Sequence, residues 1–124
     1  MIVIDYQSRK PIYEQIVERI EELIAVGGLK AGEQLPSVRA LAVELSINPN
    51  TIQKAYGILE QRGAIVPVKG KGNFVSGQEK IQQRLRENCL EKFREEVMTG
   101  KMLGISEQVF MEKIKEYYKE EPHD

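Results

Sequence analysis

The sequence predicts a mainly α protein with one small β-hairpin, and three observations carry that expectation. Apolar residues recur at helical spacing in five separate stretches. A break of three or four residues around an Asn-Pro pair divides two short helices near the middle. A β-branched run at 64–68 is followed by a glycine-rich turn and a short return.

The first helical stripe is Ile12, Ile16, Ile20, Leu23 and Ile24. Pro11 suits the first helical position, where a missing N–H is no loss, and Gly27-Gly28 supplies the positive φ that ends a helix. "LKAGEQLP" (29–36) reads as a loop in which Glu33-Gln34-Leu35 pairs briefly as a strand. Ser37 is the expected N-cap of a short helix bearing Val38, Leu41, Ala42 and Leu45. The pattern must break before Pro49, so Asn48 is placed as N-cap with Pro49 at the first helical position. Ile47 and Ile52 then occupy the two sites of a hydrophobic staple. Ile52, Ala55, Tyr56 and Leu59 face the core, and Gly63 closes the helix.

Ala64–Val68, the turn Lys69-Gly70-Lys71-Gly72 and Asn73–Ser76 form the hairpin; Pro67 cannot donate to a ladder, which places its strand at an edge. Helix, short helix, turn, helix, hairpin is the order of a winged helix-turn-helix, expected over residues 1–76. The remaining residues, 77–124, show two more helices with Gly100 and Gly104 bracketing a break and Ser106 as a cap. One carries Ile81, Leu85, Cys89, Phe93 and Val97 on a broad face; the other carries Val109, Phe110, Ile114, Tyr117 and Tyr118. Two helices with one apolar face each must be covered, by the first domain or by a second copy of the chain. A two-helix C-terminal dimerisation region is the expectation, with Cys89 and the tyrosines as packing residues.

Composition narrows the function. The chain has 124 residues, 41% hydrophobic and 30% charged, the balance of a soluble globular domain with an extension. No apolar run is long enough to span a bilayer, and "MIVIDYQSRK" lacks the apolar stretch of a signal peptide, so a cytoplasmic location and no membrane partner are expected. A single cysteine, Cys89, and a single histidine, His123, leave no material for a disulfide framework, a metal cage or a Ser-His-Asp triad. Neither a metal nor a cofactor is expected. Glu14 and Glu18, one helical turn apart, are ordinary solvated carboxylates rather than a catalytic pair, and the protein is read as no enzyme.

The net charge is −1, yet its distribution is uneven. Between residues 37 and 76, Arg39, Lys54, Arg62, Lys69 and Lys71 face only Glu44 and Glu60. The leading exposed positions of the third helix are Asn50, Thr51, Gln53 and Lys54. Such residues serve capping, and they also suit base reading. Asn and Gln pair bidentately with adenine, a Thr methyl touches a thymine methyl, and Lys54 can reach guanine or a phosphate. Arg39 lies beside the turn, within reach of a phosphate or base edge. Gly70 satisfies turn geometry, while Lys69 and Lys71 give the wing a basic tip suited to the minor groove or backbone. Double-stranded DNA is therefore the expected partner. The rival is a winged-helix protein-interaction module that never touches DNA, which the near-neutral charge favours.

Three segments, "PIYEQIVERIEELI" (11–24), "LKAGEQLPSVRALAVELSINPNTIQKAYGILEQRG" (29–63) and "GKGNFV" (70–75), resemble the GntR family of bacterial transcription regulators over about residues 5–76. "NPNTIQKAYGILE" and the short C-terminal region look like its YtrA-type subfamily. The resemblance implies a homodimeric repressor on an inverted-repeat operator, a dimerising helical tail, and target genes that are often ABC transporters. It implies DNA contacts from Ser37, Arg39, Asn48, Asn50, Thr51, Gln53, Lys69 and Gly70, with Lys54 and Lys71 as additions. Many members carry arginine where this chain has Pro49 and Gln53, so weaker non-specific binding and a shallower salt slope are expected. A separate effector domain does not fit in the tail. A small-molecule effector, of unknown identity, would need a cavity between paired tails or between tail and winged helix.

Overall fold

The computed structural model describes residues 2–122; His123, the single histidine, lies outside them. The described chain runs α1 (Ile12–Val26), α2 (Val38–Leu45), α3 (Pro49–Gln61), β1 (Ile65–Val68), β2 (Gly72–Val75), α4 (Gln78–Met102) and α5 (Glu107–Tyr117). It divides into two compact units, Met1–Leu85 and Arg86–Asp124.

In the first unit α3 packs against both α1 and α2. Ile16, Ile20 and Ile24 on one face of α1 meet Leu41, Ile52 and Leu59, all fully buried. Pro11 stands one position earlier than expected: its ψ of 149° is extended, so it is the N-cap residue rather than the first helical one. Gly27 ends α1 at φ 84°.

The hairpin pairs antiparallel with Ile65 opposite Val75 and Val68 opposite Gly72. The loop before α2 adds a third, short rung: Gln34 bridges Phe74, the Leu35 N–H donates to the Asn73 carbonyl (2.8 Å), and the Val75 N–H donates to the Glu33 carbonyl (2.8 Å). β2 is thus flanked on both sides, and β1 is the edge strand that Pro67 requires.

The helical tail begins inside this unit, not beside it. Ile81 has no solvent exposure and Leu85 packs against the same core. The Gln78 and Gln82 side-chain amides donate to the Ile24 and Ala25 carbonyls (3.1 and 3.2 Å) in the last turn of α1, where helix carbonyls need partners from outside the helix. Glu21, a buried carboxylate on α1, is held by Arg62 (3.1 Å) and by Arg84 on α4. The first compact unit therefore extends past Ser76 through Leu85, with Ile81 buried in its core and Leu85 packed against it. Apolar spacing alone could not tell whether these residues meet their own domain or a second copy.

In the second unit α4 ends at Met102, between Gly100 and Gly104, and Gly100 sits buried within its last turn. A Cβ there would collide with the Phe110 ring of α5, so this glycine admits a close helix–helix approach. Gly104, at φ 82°, makes the turn, and Ser106 caps α5 by accepting from the Val109 N–H (3.2 Å). Cys89, expected to pack, is exposed.

Candidate nucleic-acid interface

The start of α3 is fixed by local chemistry. Ser46 adopts a left-handed conformation (φ 54°, ψ 46°) and turns the chain out of α2. The Ile47 N–H returns to the Ala42 carbonyl (3.0 Å), and the half-buried Ile47 precedes the fully buried Ile52 across the helix entry. Asn48 Oδ1 accepts from the Asn50 N–H (2.8 Å), with Pro49 leading the helix. Ser37 Oγ accepts from the Ala40 N–H (3.0 Å) and starts α2. Ser37 and Asn48 are thus capping residues, and both are exposed.

A buried hydroxyl locks the arrangement. Tyr56 on α3 donates to the Pro36 carbonyl (2.7 Å), tying the third helix to the residue just before α2. Burial, with the Glu44 charge as the smaller cause, pushes its hydroxyl up to about 12.

Asn50 and Gln53 are exposed on the leading turns of α3, and Thr51 is half-buried between them. Arg39 is exposed on the first turn of α2. Among the described residues, no side-chain hydrogen bond or ion pair holds Arg39, Asn50, Gln53, Lys69 or Lys71. Exposed polar groups that the protein does not use are available to an outside partner. Lys54 differs: its ammonium sits 4.0 Å over the Tyr13 ring of α1, a cation–π contact that turns it toward α1. Lys69 and Lys71 stand exposed at the tip of the wing, around Gly70 at φ 76°.

Three supporting residues carried no sequence signal for their roles. Glu21 is not singled out by the sequence, yet Arg62 and Arg84 converge on it. The Tyr56 ring was legible as core, but its hydroxyl partner lies twenty residues away. Gln34 looks like a loop residue, yet its amide donates to the Lys71 carbonyl (2.6 Å) across 37 positions.

A helix-turn-helix with a basic hairpin wing, its leading helix turns open to solvent, defines a DNA-binding module of the winged type. The family model for "Bacterial regulatory proteins, gntR family" matches residues 12–75, and the chain belongs to that family, which is one of transcriptional regulators and not of enzymes. It is 41% identical to the HTH-type transcriptional repressor YtrA of Bacillus subtilis, over 97% of this chain and 91% of that protein. The crystal structure of a transcriptional regulator from Oenococcus oeni superposes with a TM-score of 0.81 at 28% identity, covering 95% of this chain and 99% of the other. The chain is also similar to AraR(DBD) in complex with operator ORE1, with a TM-score of 0.52 at 28% identity, covering 61% of this chain and 93% of the other. Among the described residues no helix is long and apolar enough to cross a membrane, and no group of His, Cys, Asp and Glu is placed to hold a metal ion.

Proposed function

We propose that the chain acts as a homodimeric repressor on an inverted-repeat operator, with α3 in the major groove and the wing on the adjacent backbone or minor groove. The observation that carries this reading is the pair Asn50 and Gln53, exposed and unengaged on the leading turns of α3 in a gntR-family domain. Direct base contacts fall to Asn50, Thr51 and Gln53, and phosphate contacts to Ser37, Arg39, Asn48, Lys69, Gly70 and Lys71. Lys54 contributes only if DNA draws it from the Tyr13 ring. The relative named a repressor and the operator-bound AraR(DBD) support the same direction. Transporter genes are the proposed targets, by resemblance to the YtrA-type subfamily, and the site of action is the cytoplasm.

The second unit supplies the dimer contact in this reading. Phe93, Val97, Phe110 and Ile114 line a groove of about 510 Å³ between the second half of α4 and α5. Leu90 is 67% exposed, Val109 44% and Tyr118 88%, more apolar surface than a small solvated unit leaves open without a partner. A second copy, presenting the same face about a two-fold axis, covers it isologously. Cys89 lies on the exposed part of the same helix.

Mobility shift and sedimentation test the reading together. Gln53→Ala should lower specific affinity by about 1–3 kcal/mol while leaving the dimer intact. A Gln53→Ala protein that binds selected duplexes as tightly as wild type would remove α3 from base reading.

A further inference from the structure

The wing is a poor holder of charge if left to itself. Two four-residue strands make a marginal hairpin, and ordering a mobile arm at the moment of binding subtracts from affinity. We propose that Gln34 is the positioning residue that holds the wing's lysines in their binding arrangement, a role that rests on the DNA-binding reading above.

Gln34 grips the tip from outside the hairpin. Its Nε2 donates to the Lys71 carbonyl at 2.6 Å, and that carbonyl lies in the turn carrying Lys69 and Lys71. The donor is itself anchored at its backbone. Gln34 bridges Phe74, and the next residue, Leu35, donates to the Asn73 carbonyl (2.8 Å) while its side chain is buried in the core. The tip is closed independently by the Lys71 N–H donating to the Val68 carbonyl (2.9 Å). Gly72 leaves room for the latch: a Cβ at this position would stand 2.9 Å from Gln34 Nε2, and its φ of 118° already disfavours any other residue.

The latch also joins two parts of the interface. Gln34 precedes Ser37 by three residues, in the segment that leads into α2 and Arg39. Pro36, between them, receives the Tyr56 hydroxyl of α3. The wing, the start of α2 and α3 are thus referred to one short stretch of backbone, 34–37, so the lysines keep a fixed place relative to the base-reading helix.

The test uses the full chain in four forms: wild type, Gln34→Ala, the pair Lys69→Ala with Lys71→Ala, and all three changes together. Binding to a mixed-sequence duplex is read by fluorescence anisotropy at low salt, since backbone contacts carry no sequence information. Amide hydrogen exchange is followed over residues 68–73 without DNA. Gln34→Ala is expected to speed exchange there and to weaken binding about three- to tenfold, the scale of one hydrogen bond. That loss should vanish when the two lysines are already gone. A Gln34 that merely supports the fold would weaken both backgrounds equally, and this result, or unchanged binding by Gln34→Ala, overturns the proposal. Wild-type protein that binds no duplex overturns the DNA-binding reading and the latch with it, an outcome distinct from failure of the latch alone.

Discussion

Replacing Ile81 with alanine removes roughly three methyl or methylene groups from a side chain with no solvent exposure. At ~0.8 kcal/mol for each buried group the transfer loss is about 2.4 kcal/mol. The space left behind, in a core formed with α1 and α3, raises this to about 3–4 kcal/mol. Alanine's better helix propensity returns only about 0.4 kcal/mol, so loss of packing decides the sign. For a unit the size of Met1–Leu85, each kcal/mol lowers the midpoint by about 4–8 °C, giving an expected fall of roughly 10–30 °C. Thermal unfolding by circular dichroism, repeated at two protein concentrations and paired with sedimentation, is the assay. Core burial predicts the fall with the oligomeric state unchanged below the midpoint. An unchanged midpoint accompanied by dissociation of a dimer would refute the placement and return Ile81 to an intermolecular face.

Other outcomes follow from the same contacts. Changing both Arg62 and Arg84 to alanine leaves the Glu21 carboxylate buried without a countercharge and should destabilise by about 3–5 kcal/mol, measurable by urea unfolding. Because the Tyr56 hydroxyl is held up to about 12, above its ordinary 10.0, its contribution to stability is complete below about pH 10 and is lost as pH rises toward 12. Tyr56→Phe should abolish that alkaline loss and lower stability near neutrality by about 1 kcal/mol. A chain ending after Leu85 should fold and bind DNA weakly as a monomer, whereas one ending after Ser76 should also lose stability, because Ile81, Gln78, Gln82 and Arg84 go with it. Calorimetry showing equal midpoints for the two truncations would count against α4's opening turns as part of the first unit.

Local chemistry made most of the winged helix legible. Ser37, Asn48 and Ser106 cap where capping preference places them, because a side-chain oxygen one step before a helix has few other uses. The hairpin, the edge position of Pro67 and the brief Gln34 rung were readable for similar reasons. Long-range partners were not. Ile81 and Phe93 lie on one helix with the same apolar spacing, yet the first is buried in the protomer and the second is 45% exposed. Gly100 and Gly104 bracket the break as their spacing suggests, but that the Phe110 ring of the next helix packs on Gly100 is not visible in local propensity. Lys54 read as a free cation because nothing in the spacing places Tyr13 beneath it. The Gln34 latch belongs with these, since it joins residues 37 positions apart.

The decisive experiment is selection of binding sites from random-sequence duplexes. A homodimer reading bases through α3 enriches a two-fold symmetric site whose half-sites are centred one helical turn apart, ~34 Å, or a multiple of it. The Gln53→Ala protein is expected to lose that site. Selection that enriches no sequence, or that enriches the same site with and without Gln53, would contradict base reading by α3.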